Sequence, residues 1–205
     1  DPPQPKLPNL QQSVLDVATG LAGFSRIHSW PENFPQLMLS DSDPFIMSGL
    51  SHFLELTGKK NIVLMKADFP TKPPQGMKFG FIMVNKFLHH LQRSDRVNFL
   101  KWSMGVLESG GVLEILDTDL EHYIVEQSYQ PEFKNKLTIG YLETLVEIEG
   151  DYTDTLKSDV QGVGFRIVHF DCRNYCDETD AFSQNQGDIL SLKFKGLEIV
   201  AEKSA

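Results

Sequence analysis

The stretch Val14-Leu15-Asp16-Val17-Ala18-Thr19-Gly20-Leu21-Ala22-Gly23 decides how the rest of the chain is read. Ser13 to Val17 is a short β-rich run, small residues stop it from Ala18 to Gly23, and the segment from there to Ser29 can begin a helix. The same alternation continues outward. Gln36 to Ser40 reads as a second strand, Asp43 as a helix N-cap followed by Pro44 at the first helical position, and Phe45 to Leu56 as an amphipathic helix. Asn61 to Met65 and Phe79 to Val84 are further strands, separated by a Pro-rich loop from Pro70 to Gly76. A helix from about Ser94 to Leu107, a turn at Ser109-Gly110-Gly111 and an almost wholly apolar strand from Val112 to Leu116 follow. Residues from about Leu120 to Val160 look helical and amphipathic, with Leu142, Leu145, Val146 and Ile148 on a core face. Gly164 to Asp171 and Leu197 to Ala201 read as two last strands, an antiparallel pair at the sheet edge. Strands alternating with helices imply right-handed crossovers and a three-layer α/β sandwich around a mostly parallel, seven-stranded sheet.

With 205 residues, 40% of them hydrophobic, the chain can bury one sizeable core without metals or crosslinks. The expected division is a Pro-rich linker or tail over residues 1–11 and a single domain over 12–205. A formal charge of -9, with close basic groupings only at Lys59-Lys60 and Lys134/Lys136, disfavours a nucleic-acid partner. The sole cysteines, Cys172 and Cys176, are too few for a disulfide framework, which fits a reducing compartment such as the cytoplasm. No apolar run approaches the roughly 18 residues that span a bilayer, so no membrane partner is expected. His169, Cys172 and Cys176 match no usual zinc spacing and lack a fourth ligand, so no metal is assigned.

In open α/β sheets ligands bind beyond the carboxyl ends of the strands, where strand order reverses. That rule points here to Asp16, Asp41, Asp68 and the residues after Val84, beginning with Asn85. Small residues from Ala18 to Gly23 let the backbone approach a ligand while a helix N-terminus faces its anionic part. Two cofactors fit such a loop. Ala18, Gly20 and Gly23 occupy the three places of a nicotinamide fingerprint, but Asp16, two residues earlier, repels a pyrophosphate. The same carboxylate attracts the cationic amino group of S-adenosylmethionine (SAM), which is therefore favoured.

The segment Val14 to Gly23 resembles the acid followed by G-x-G-x-G of class I, Rossmann-like SAM-dependent methyltransferases, with Gly20 kept and Ala18 and Ala22 replacing the outer glycines. Leu39-Ser40-Asp41-Ser42-Asp43-Pro44 is similar to that family's second-strand segment. The resemblance implies that Asp41, flanked by Ser42, accepts hydrogen bonds from both ribose hydroxyls. Ala67-Asp68-Phe69 is similar to the segment after the third strand, which implies that Asp68 accepts from the adenine amino group and Phe69 borders the ring. The likeness extends over Phe79 to Asp117, where Phe-Gly-Phe-Ile-Met-Val-Asn-Lys-Phe-Leu-His-His-Leu precedes a helix and Leu107-Glu-Ser-Gly-Gly-Val-Leu-Glu-Ile-Leu-Asp117. Small-molecule methyltransferases carry a "vlhhl" segment, a helix and "l-x-p-G-G-x-l-l-i-x-D" in that order.

Methyl transfer to a hydroxyl needs the nucleophile held in line and its proton removed. The resemblance to plant-type O-methyltransferases places His89 at their general base, although Leu91 replaces the Trp of their pattern; a hydrogen-bonded structural imidazole is the alternative. Asn85 is followed by Lys86-Phe87-Leu88 rather than Pro-Pro-aromatic, so amino-group methylation by that motif is unsupported. The expectation is thus a SAM-dependent methyltransferase acting on a small or medium-sized acceptor, with O-methylation preferred. The competing expectation is an inactive, methyltransferase-like binding or scaffold domain of a larger protein, with neighbouring domains or a partner supplying a lid.

Overall fold

The computed structural model describes residues 13–71, 73, 76–119, 152–174, 178–179, 191–192 and 195–204. The expected tail over 1–11 and the apolar face from Leu142 to Ile148 lie outside the described residues. In chain order the elements are β1 (Val14–Val17), α1 (Ala22–Ser29), β2 (Leu37–Asp41), α2 (Pro44–Thr57), β3 (Ile62–Lys66), β4 (Phe79–Asn85), a 3-10 turn (Leu88–His90) and α3 (Arg93–Val106). They continue with β5 (Leu107–Asp119), α4 (Tyr152–Val163), β6 (Phe165–Asn174), β7 (Glu178–Thr179), β8 (Ser191–Leu192) and β9 (Lys195–Lys203).

The main sheet has seven strands in the order β3-β2-β1-β4-β5-β9-β6. β1 to β5 run parallel, and β9 lies antiparallel to both β5 (Ile115 opposite Ile199) and β6 (Phe170 opposite Ile199). The mostly parallel α/β sheet with an antiparallel edge is therefore present, as the alternating pattern required. β7 and β8 form a separate two-residue ladder that no sequence signal announced.

Side chains alternate across the strands, which sorts the apolar residues into two cores. Leu15, Val17, Ile82, Val84, Leu113, Ile115 and Ile199 pack toward Phe99 and Leu100 of α3 and Leu156 and Val160 of α4. Val14, Leu37, Leu39, Ile62 and Met83 pack toward Ile27 of α1 and Leu50 of α2. Each fully buried side chain of this size contributes roughly 1.5–3 kcal/mol, so truncating a residue such as Leu15 to Ala is expected to cost about 2–5 kcal/mol.

Helix α2 begins as its sequence specifies. Asp43 accepts the Phe45 amide at 2.8 Å, Pro44 opens the first turn, and Gly58, at φ 66°, ends the helix in the left-handed region. The expected turn at Ser109-Gly110-Gly111 is corrected. α3 stops at Val106, β5 starts at Leu107, and the three residues lie within the strand as a bulge. Phe79 faces Leu107 and Phe81 faces Val112, so Gly110, at φ 71°, absorbs the extra length where a Cβ would strain the backbone. Of the helical stretch expected over Leu120 to Val160, Tyr152 onward belongs to α4, and residues 120–151 lie outside the described residues.

Candidate functional site

Strand order reverses between β1 and β4, so the crevice beyond their carboxyl ends is where this architecture receives a ligand. Backbone geometry marks the same place. Among the described residues, the two non-glycine residues with positive φ are Ala18 (51°) and Lys86 (50°), each immediately after one of these strands. Side chains cost energy in that region, and such strain concentrates at functional sites.

The loop after β1 is tied to β2 at several points. Thr19 donates its amide to the Ser40 carbonyl at 2.9 Å, and the Ser40 hydroxyl donates to the Asp16 carbonyl at 2.9 Å. Asp41 carries the decisive contact: its Oδ2 accepts the Gly20 amide at 2.8 Å, and its Oδ1 accepts the Asp43 amide at 2.9 Å. This half-buried carboxylate therefore stands against the glycine loop, and its remaining lone pairs can accept further donors. Gly20 itself, at φ 50°, is open on its Cβ side, with only the Ala18 carbonyl oxygen near, at 3.9 Å.

Asp16 has a more internal environment than its sequence position suggested. It is 2% exposed and accepts from the Thr19 hydroxyl at 3.0 Å and from Arg26 Nε at 3.4 Å. Burial pushes its carboxyl above the usual carboxylate range, while Arg26 and the Thr19 hydroxyl oppose that rise. Across the same sheet face, Glu114 is also pushed up, first by burial and then by Glu198, with Arg26 counteracting. Arg26 thus serves two carboxylates of the β1–β5 face, a role its place in α1 did not announce.

Ser42 and Asp68 are exposed and Asn85 is half-buried; Ser42 follows β2, Asp68 follows β3 and Asn85 ends β4. Phe69 is 8% exposed, and its ring packs against Trp102 (centroids 4.9 Å apart) and Phe99 (5.8 Å). The core of this region is aromatic.

His89 lies in the 3-10 turn after β4, 6% exposed. Its amide donates to Asp117 Oδ2 at 3.1 Å, and its Nδ1 hydrogen-bonds Asp117 Oδ1. The Tyr152 hydroxyl donates to Asp117 Oδ2 at 2.7 Å. Arg96 stacks 5.2 Å from the Tyr152 ring centroid and holds Asp159 through Nε (3.1 Å) and Nη2 (2.9 Å). Burial and the neighbouring His89 lower the His90 imidazole below its ordinary value. Asp117 closes the segment that carries the family resemblance and lies within β5, but its partners are not legible in the sequence: Tyr152 comes 35 residues later and no spacing rule links them.

These residues suit an adenosyl sulfonium better than a pyrophosphate. Asp41, half-buried at the end of β2, and Asp68, exposed after β3, can accept from hydroxyl and amino donors, whereas Asp16 is buried and paired with Arg26. The open Gly20 leaves room for a close backbone approach. No cluster of three or more metal-ligating side chains occurs among the described residues, which include His169 and Cys172 but not Cys176. His169 Nε2 lies 4.0 Å from Glu198 Oε1.

The fold is that of class I, Rossmann-like methyltransferases. Solved structures agree across nearly the whole chain. A protein from Bacillus halodurans C-125, provisionally assigned as a methyltransferase, superposes with a TM-score of 0.67 at 16% identity, over 96% of this chain and 94% of that one. A provisionally assigned methyltransferase in complex with the Haloferax volcanii Trm112 methyltransferase activator gives a TM-score of 0.66 at 13% identity, over 95% and 83%. PigF with SAH gives 0.55 at 19% identity over 95% of this chain, which spans 51% of that protein. No protein-family model and no curated protein sequence matches the chain. No described helix is long and apolar enough to cross a membrane.

Proposed function

We propose that this chain is a cytoplasmic SAM-dependent methyltransferase acting on a small or medium-sized acceptor, with a hydroxyl oxygen the preferred nucleophile. The observation that carries the proposal is the Asp41 carboxylate bonded to the Gly20 amide at the switch-point crevice of a methyltransferase fold. In this reading Asp41 and Ser42 receive the ribose, Asp68 and Phe69 the adenine, and Asp16, Ala18, Gly20 and Asn85 the methionine end. SAM supplies a methyl group made electrophilic by its sulfonium. The chain's own part is to orient the acceptor, exclude water and accept its proton. His89 suits proton acceptance, because with Nδ1–H donating to Asp117 the neutral ring presents its lone pair at Nε2.

A second reading, an inactive binding or scaffold domain within a larger protein, is favoured by one observation. Asp16 already has Arg26 as a cationic partner, so its attraction for a ligand amino group is partly satisfied within the chain. In that reading a partner protein or neighbouring domain covers the crevice, as an activator accompanies one of the structural neighbours.

Titration calorimetry with SAM and its demethylated product, repeated on Asp41→Ala and with NADH as control, separates the readings. Micromolar SAM binding that Asp41→Ala weakens supports the enzyme. Absence of SAM binding overturns it for this chain alone, and tight NADH binding without SAM binding points to an oxidoreductase.

A further inference from the structure

We propose that the outer face of α2 is the contact surface of a homodimer, in which α2 of one copy packs antiparallel on α2 of a second, so that Phe45 meets Leu56 of the other copy. The inference is independent of the methyltransferase reading above. Phe45 is 87% exposed and Leu56 71%, at opposite ends of the same helix. With the exposed Ser48 and His52 they follow the helical spacing 45, 48, 52, 56, which makes one stripe on the side of α2 opposite the buried Leu50. That side is poor in charge. Glu55 is the only Asp, Glu, Lys or Arg in α2, a helix of 14 residues, whereas 23% of the whole chain is charged. Large exposed apolar side chains in a charge-depleted surround mark a protein contact rather than a solvated helix face.

A second copy of this chain fits the stripe because the stripe is complementary to itself when reversed. A two-fold axis crossing α2 midway between Leu50 and Ser51 sets Phe45 opposite Leu56 of the second copy, and Leu56 opposite its Phe45, the reciprocity that an isologous contact requires. The same axis sets His52 opposite the small Ser48-Gly49 edge, so a bulky ring faces a gap rather than another ring. Charge follows the same register. Asp43, exposed before the first turn, falls beside Lys60 of the second copy, exposed just beyond the last turn, and the pairing occurs twice. Elsewhere two copies repel, each with a formal charge of -9, so a charge-poor face is where they can approach. The surface is small. A helix of this length is about 21 Å long, which puts the contact at the low end of specific interfaces, below about 1,200 Å² in total.

Sedimentation velocity of the full chain at low salt, from about 5 to about 500 µM, reads the assembly. A monomer–dimer equilibrium in the micromolar range is expected, as suits so small a surface. Phe45→Lys and Leu56→Glu are each expected to weaken it by about tenfold or more, since each removes an anchor and sets a charge against an apolar side chain. The double variant Phe45→Lys/Leu56→Glu brings opposite charges together twice in the antiparallel pair. It is expected to dimerise more tightly than either single variant, whereas Phe45→Glu/Leu56→Glu, with like charges opposed, is not. Both positions are exposed, so the variants keep the fold, which circular dichroism checks. A chain that is monomeric at every concentration overturns the proposal and leaves the face to a different protein or a neighbouring domain. A dimer that neither single variant weakens overturns it in favour of another self-contact, and a double variant no tighter than the singles overturns the antiparallel pairing.

Discussion

Asp41, at the end of β2, accepts the backbone N–H of Gly20 at 2.8 Å, which joins the acid expected at the ribose to the loop expected at the methionine end. A hydrogen bond to a charged group contributes about 1.5–3 kcal/mol when buried. Half-burial reduces this, so Asp41→Ala is expected to lower stability by about 1 kcal/mol in urea denaturation. On the proposed reading its effect on SAM should be larger, a loss of affinity of about tenfold or more by calorimetry, since the proposed ribose acceptor and the loop's brace disappear together. Equal SAM affinity in wild type and variant would place the ribose elsewhere.

Ala18 sits at φ 51°, where a Cβ meets the following carbonyl. Left-handed backbone costs an L-residue roughly 1–2 kcal/mol, while glycine's extra freedom in the unfolded chain returns part of that. Ala18→Gly is therefore expected to stabilise the chain by up to about 1 kcal/mol and to tighten SAM binding. A lower unfolding midpoint for this variant would mean that the strain is not relieved.

Gly23, in the first turn of α1, is needed for a different reason. A Cβ there would lie 2.8 Å from Leu50 Cδ2 and 3.1 Å from Thr19 Cγ2. Overpacking of this kind costs about 1–3 kcal/mol, the expected loss for Gly23→Ala. Adding Leu50→Val should recover part of it, because contacting sites are not additive. Thermal unfolding of both single variants and the double completes the cycle.

Glu114 is held above the ordinary carboxyl range by burial and by Glu198. A raised folded-state value means that the folded chain binds this proton more tightly than the unfolded chain does. The stability it brings is fully present below the unfolded value and is lost as pH rises through the folded one. Glu114→Gln escapes that loss. It should unfold at higher temperature than the wild type near pH 8, with the gap closing as pH falls toward 4.5. A gap that stays constant with pH would refute charge burial as the cause.

The fold was legible in the sequence because its signals are local. Binary patterning reported which strands are covered on both faces, Asp43-Pro44 reported a helix start, and the loop after Val17 reported a tight turn at a strand's end. The acids at 16, 41 and 68 and the histidine at 89 are legible for the same reason: each lies at or just beyond the carboxyl end of a strand, where the pattern breaks. Ser-Gly-Gly at 109–111 permits a turn and a bulge alike, and only pairing of Phe79 with Leu107 and Phe81 with Val112 distinguishes them.

The partners of those residues were decided by tertiary structure alone. Arg26 on Asp16, Asp41 on Gly20, and Tyr152 with Asp117 on His89 join positions between 10 and 35 residues apart. Periodicity tells a side chain which face it occupies, since that follows from the geometry of its own element. Which charged or hydroxyl group it meets depends on crossover lengths and helix packing, and these are settled only when the separate elements close on one core.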